Sequence, residues 1–165
     1  MGMASCDVAW KMGSGKLAEN SYEEGIMSVS KKNVEEVKDA CDKVMKLYTT
    51  LDTKGLVEMC ADDFVLVGHD ASIKKARGKE SLRELFVEGM KEFESLESEY
   101  DISEINRDGN LAYVLFSNND KVKFFGSDET IVSDNCQTLM VFERQNDGLW
   151  KMKLQMCVVP NDEQN

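Results

Sequence analysis

The chain carries a single histidine, His69, which stands beside Asp70 at the end of an apolar run in ADDFVLVGHD. Imidazole titrates near neutral pH and a neighbouring carboxylate can orient it, so the pair reads as a candidate general base and its orienting acid. The reaction such a pair suits is proton abstraction next to a carbonyl. The alternative is a rim histidine that merely closes a strand. Strand alternation turns neighbouring side chains to opposite faces, so direction decides between the two; a bulge at Gly68 would turn His69 inward.

No other motif competes strongly for chemistry. The five cysteines, Cys6, Cys41, Cys60, Cys136 and Cys157, are odd in number, widely scattered and mostly inside apolar patterns. They read as reduced thiols rather than a disulfide framework. Zinc would need close cysteine pairs and more histidine, so no metal and no cofactor are expected. KMGSGKLAEN resembles a phosphate loop only briefly: Gly13 and Gly15 are too close, and Leu17 stands where a hydroxyl would meet magnesium. MGMASC places Cys6 where myristoylation asks for Ser or Thr.

Charge and hydropathy narrow the class further. With 31 acidic against 20 basic residues the net charge is -11, which disfavours nucleic acid and anionic membranes as partners. No apolar stretch approaches transmembrane length and the N-terminus lacks the apolar core of a secretory signal, so a cytoplasmic protein is expected.

The elements that must position these residues follow from periodicity. Residues 1–30, rich in glycine and serine, are expected as a flexible arm, 31–160 as one domain and 161–165 as a tail. From Asn33, apolar residues at three- and four-residue steps (Val34, Val37, Cys41, Val44, Met45, Tyr48, Leu51) predict an amphipathic helix, capped by Ser30 or Asn33 with Glu36. A short helix over Thr53–Cys60, weakened by Gly55, leads to the apolar strand FVLVGH. Ser81 and Glu84 cap a third helix through Leu82, Phe86, Met90 and Phe93, with KEFESLESE carrying it to its end. The acidic run EFESLESEYD reads as a solvated face or a docking surface for basic partners.

The remainder reads as strands. SEYDISEI and LAYVLFSN flank NRDGN, and QTLMVFER and LWKMKLQMCVV flank QNDG, two Asp-Gly hairpins. In the last strand Trp150, Met152, Leu154 and Met156 alternate with Lys151, Lys153 and Gln155, which predicts one buried and one wet face.

This order resembles the nuclear-transport-factor-2-like (NTF2-like) superfamily, in particular its SnoaL-like and DUF4440-type members. The likeness rests on VMKLYTTLDTKGLVEMCADDFVLV, where Ala61, Asp62 and Asp63 form a turn into the first strand, and on ARGKESLRELF at the entry to the third helix. It covers residues 33–158. It implies an α+β fold: a strongly curved antiparallel sheet wrapped round three N-terminal helices, a cone whose open end is a pocket. Aligned with ketosteroid isomerase, Val44 takes the place of the oxyanion tyrosine, Gly68 that of the aspartate base, and Thr138 falls near the third acid. That isomerisation is therefore not expected.

Tyr48, Phe86, Tyr113, Gln137 and Trp150 are the expected lining of an apolar pocket with a few hydrogen-bonding groups. The leading expectation is a homodimer, associated through its sheet, that holds a small apolar molecule without a secure catalytic apparatus. The alternatives are a lyase or isomerase of the SnoaL-like type using His69, and an oligomerisation or protein-binding module.

Overall fold

A computed structural model describes the backbone of residues 19–68 and 76–158, and side chains from residue 34 onward. His69 and Asp70 lie outside the described residues, as do residues 1–18 of the expected arm and the expected tail. The chain runs α1 (Glu19–Thr49), α2 (Thr53–Met59), β1 (Cys60–Val67), β2 (Ala76–Arg77), α3 (Lys79–Met90), β3 (Phe93–Asp108), β4 (Leu111–Phe124), β5 (Thr130–Arg144) and β6 (Trp150–Val158).

Helix α1 buries Val37, Cys41, Val44 and Met45, the stripe that its periodicity predicts. It begins at Glu19, well before Asn33. Upstream, Tyr22, Ile26 and Val29 stand four and three residues apart in the sequence, separated from Val34 by a five-residue step. Ser30 and Asn33 are therefore interior residues of the helix and not caps. The helix ends at Thr49, Leu51 with a φ of 56° reverses the chain, and the amide of Asp52 donates to the carbonyl of Leu47 at 2.9 Å. Asp52 then caps α2 by accepting from the amide of Gly55 at 2.8 Å. Gly55 is a packing requirement: a Cβ there would stand 2.6 Å from Leu47 Cδ2 and 2.7 Å from Asp52 Oδ2.

The six strands form one sheet in the order β2-β1-β6-β5-β4-β3. Strands β3 to β6 are an antiparallel meander, whereas β1 pairs with β6 in parallel, so the sheet is mixed. The Ala61-Asp62-Asp63 stretch, expected as a turn, lies inside β1 where its register with β6 shifts. Ala61 and Phe64 are buried there, while Asp62 and Asp63 reach out to Lys79 and Lys153 at 2.8 and 2.9 Å. Those partners hold both carboxyls below the ordinary carboxylate range.

The acidic run after α3 is strand, not the end of a helix. In β3, Leu96, Ser98, Tyr100 and Ile102 are buried or half-buried while Glu97, Glu99 and Asp101 are exposed, a period of two. Gly109 and Gly148, with φ of 58° and 85°, turn the two expected hairpins. The core lies between the sheet and the helices, with Phe64, Phe116 and Phe142 among its largest fully buried side chains.

The last strand departs from simple alternation. Phe142 pairs with Met152 and Val141 with Leu154, which leaves Lys153 as an extra residue in β6. Such a bulge reverses which face the following residues take. Leu154 and Met156, expected inside, turn to the outer face, where Met156 is 36% exposed. Gln155 and Cys157 turn inward.

Candidate functional site

Between α1, α3 and the helix-facing side of the sheet lies a cavity of about 210 Å³. Successive turns of α1 supply Val44, Met45 and Tyr48, while Leu56 of α2, Leu66 of β1 and Phe86 of α3 close the sides. Every second residue of β4 contributes, namely Phe116, Asn118 and Asp120, and β5 adds Thr138 and Met140. Met152 faces it from before the β6 bulge, and Gln155 and Cys157 from after it.

The wall is apolar along most of its length and polar at one end. Thr138 Oγ1 donates to Asn118 Oδ1 at 3.0 Å, and the two residues are only 4% and 6% exposed. They are cross-strand neighbours of the same region, since Asn118 pairs with Cys136 and Phe116 with Thr138. Asp120 accepts from Ser98 Oγ at 2.5 Å and from the Tyr48 hydroxyl at 3.4 Å. Burial first, and then the charge of Asp120, push the Tyr48 phenol well above its ordinary value, so it stays protonated and remains a donor. Cys136, buried nearby, is pushed up to about 11 by burial and then by Cys157. The wall can therefore hold an apolar body and offer hydrogen bonds and one carboxylate to its polar end.

Of the residues expected in the pocket, the structure brings together Tyr48 and Phe86. Tyr113 and Gln137 fall one residue out of phase with the inward sets of β4 and β5. Tyr113 lies on the outer face and donates to Glu104, and Gln137 is exposed and donates to Asn135 Oδ1 at 3.0 Å. Trp150 is buried but away from the cavity, with the Arg107 guanidinium 4.8 Å from its ring centroid. It borders a separate open groove of about 790 Å³ beside Glu36, Asp52 and Arg144.

Asn118, Asp120, Gln155 and Cys157 are missed by the sequence reading. Extending the alternation of Val114 and Phe116 by two and four residues would have found Asn118 and Asp120, but the polar run SNND reads as a strand end. Gln155 and Cys157 are hidden by the bulge. Val44 and Thr138, aligned with the oxyanion tyrosine and the third acid, do face the cavity, with an aliphatic chain and a hydroxyl.

The family model for the SnoaL-like domain matches residues 37–158. The chain belongs to the SnoaL-like domain family. The match takes in every residue of the cavity wall. A comparison with curated proteins finds no match. Among solved structures, a ketosteroid isomerase-like protein from Erwinia carotovora atroseptica superposes with a TM-score of 0.68 at 16% identity, over 76% of this chain and 95% of that one. A proposed dehydratase of the NTF2-like family from Streptomyces avermitilis gives 0.67 at 17%, over 80% and 99%. An NTF2-like protein of unknown function from Pseudomonas putida gives 0.63 at 16%, over 82% and 92%. At these identities the likeness is one of fold.

Among the described residues no group of three metal-ligating side chains occurs, and no helix is long and apolar enough to cross a membrane.

Proposed function

We propose that this SnoaL-like domain binds one compact, mainly apolar molecule in the cavity between α1, α3 and the sheet. The observation that carries the reading is a single concavity whose apolar wall ends in convergent polar groups, the usual composition of a small-molecule site. Its size limits the ligand. A cavity of roughly 150 Å³ takes benzene and drug-sized ligands need roughly 300 Å³ or more, so 210 Å³ suits a single substituted ring. Fused multi-ring molecules are too large without rearrangement.

The domain acts as a homodimer in this reading. Two cross-strand rows, Tyr113–Val141–Leu154 and Leu115–Leu139–Met156, lie side by side on the outer face of β4, β5 and β6. Packing two such faces together covers both patches at once, as in sheet-on-sheet packing.

Val44 projects into the cavity from a fixed helix, so Val44→Phe fills the space a ring would take. Calorimetric titration with benzyl alcohol is expected to give saturable binding to the full chain and none to Val44→Phe. Binding unchanged in that variant, while it remains folded, would place the ligand elsewhere and contradict the reading.

A second reading is proton-transfer catalysis of the lyase or isomerase kind. It is favoured by one observation: Asp120 is a carboxylate on the cavity wall with the Tyr48 hydroxyl beside it, a base and a donor in one site. It predicts turnover of single-ring enones that disappears in Tyr48→Phe; absence of turnover across such a panel removes it.

A further inference from the structure

The polar end of the cavity is electrostatically one-sided. Among the described residues of the lining Asp120 is the only carboxylate, and no lysine, arginine or histidine stands with it. Its two donors, Ser98 and Tyr48, are neutral hydroxyls, and the second sits at 3.4 Å, beyond the usual hydrogen-bond range. A carboxylate offers about four lone-pair sites, so accepting capacity is left over toward the cavity. Among the described residues no lysine or arginine forms an ion pair with it.

The rest of the wall points the same way. Tyr48, Phe86 and Phe116 bring three rings to the cavity, and the face of an aromatic ring attracts cations. Asn118 and Gln155 bring amides, which both accept and donate, and the Asn118 carbonyl already accepts from Thr138, so the carboxylate is what sets the sign of the charge. An anion would meet the Asp120 carboxylate, and among the described residues of the lining no lysine or arginine offsets it. A net charge of -11 raises the local concentration of cations and lowers that of anions.

We propose that the cavity selects a compact single-ring amine, its ammonium group seated on Asp120 and its ring held among Tyr48, Phe86 and Phe116. This rests on the small-molecule reading of the same cavity and assigns the chemical class of the ligand. Asp120 is the residue that specifies charge, and the aromatic and methionine side chains specify size.

Three probes of one shape and different charge test it on the full chain: benzylamine, benzyl alcohol and benzoate, titrated at neutral pH and low salt. Benzylamine is expected to bind at least about tenfold more tightly than benzyl alcohol, with benzoate weakest of the three. Asp120→Asn keeps the shape and removes the charge. It is expected to weaken benzylamine by about tenfold or more, and to weaken it by more than it weakens benzyl alcohol; an equal loss for the two probes overturns the charge assignment.

Equal binding of amine and alcohol to the wild-type chain overturns the assignment and leaves the cavity reading standing. Failure of all three probes to bind overturns the cavity reading itself. Should Asp120→Asn not fold, the order of the three probes on the wild-type chain decides alone, and alcohol as tight as amine, or tighter, is the overturning result.

Discussion

At the scale of single residues, burial decides which polar groups are available for chemistry. Cys41 and Cys60 are fully buried, and burial pushes both thiols from an ordinary 9.0 up to about 12. The Cys60 thiol also donates to the carbonyl of Leu56 at 3.3 Å. A thiol that stays protonated in the fold while its unfolded counterpart ionises weakens the fold as pH rises. Its contribution is complete below pH 9.0 and is lost toward about 12, at up to roughly 1.4 kcal/mol per pH unit for each thiol. The urea midpoint is thus expected to fall between about pH 8 and about pH 10, and brief alkylation near pH 8 is expected to spare Cys41 and Cys60; an unchanged midpoint or rapid labelling of either contradicts this. The chemistry that the sequence places at His69 and Asp70 lies outside the described residues. The groups that do meet at the cavity, Asn118, Asp120 and Thr138, are polar residues on strands, and their types alone give no sign of it. They become a site only through the pairing of β3, β4 and β5.

At the scale of elements, most of the architecture is legible from periodicity, and the departures have identifiable causes. The helical stripe of α1, the Asp-Gly hairpins and the long strands follow from spacing and turn residues. The start of α1 is misplaced because the five-residue step from Val29 to Val34 interrupts the helical spacing, and the β6 facing is misplaced because a bulge at Lys153 leaves no mark in composition. β3 is the clearest case of competition. Its glutamates suit a helix, but Leu96, Tyr100 and Ile102 bury themselves at even spacing against α1, and that burial outweighs helix propensity. Leu96 is 5% exposed and Glu97 points to solvent, so Leu96→Ala is expected to cost about 2–4 kcal/mol in urea unfolding and Glu97→Ala within about 0.5 kcal/mol. Comparable costs at the two positions would mean that β3 is not the strand described.

At the scale of the molecule, the sheet presents one face to the helices and cavity, and its outer face carries the apolar rows ending in Leu154 and Met156, which the proposed dimer would pair with a second copy. The expected curved sheet wrapped round three helices is the fold observed, with the parallel β1–β6 pair as the feature that hairpin patterns could not reveal. Met156→Lys places a charge at the β6 end of the outer rows, on the face away from the cavity. It is expected to convert a dimer of about twice the 18.6 kDa chain mass to monomer in light scattering; a wild-type chain that is already monomeric contradicts the dimer. The central claim, a ligand cavity walled by α1, β4, β5 and β6, is tested most directly by the methionine methyl groups, which report on both faces at once. Met45, Met140 and Met152 line the cavity and Met156 lies on the outer face. In a methionine-methyl-labelled sample titrated with benzylamine, the signals of Met45, Met140 and Met152 are expected to shift together and saturate while Met156 stays in place. Shifts confined to Met156, or no shift at any of the four, would contradict the account.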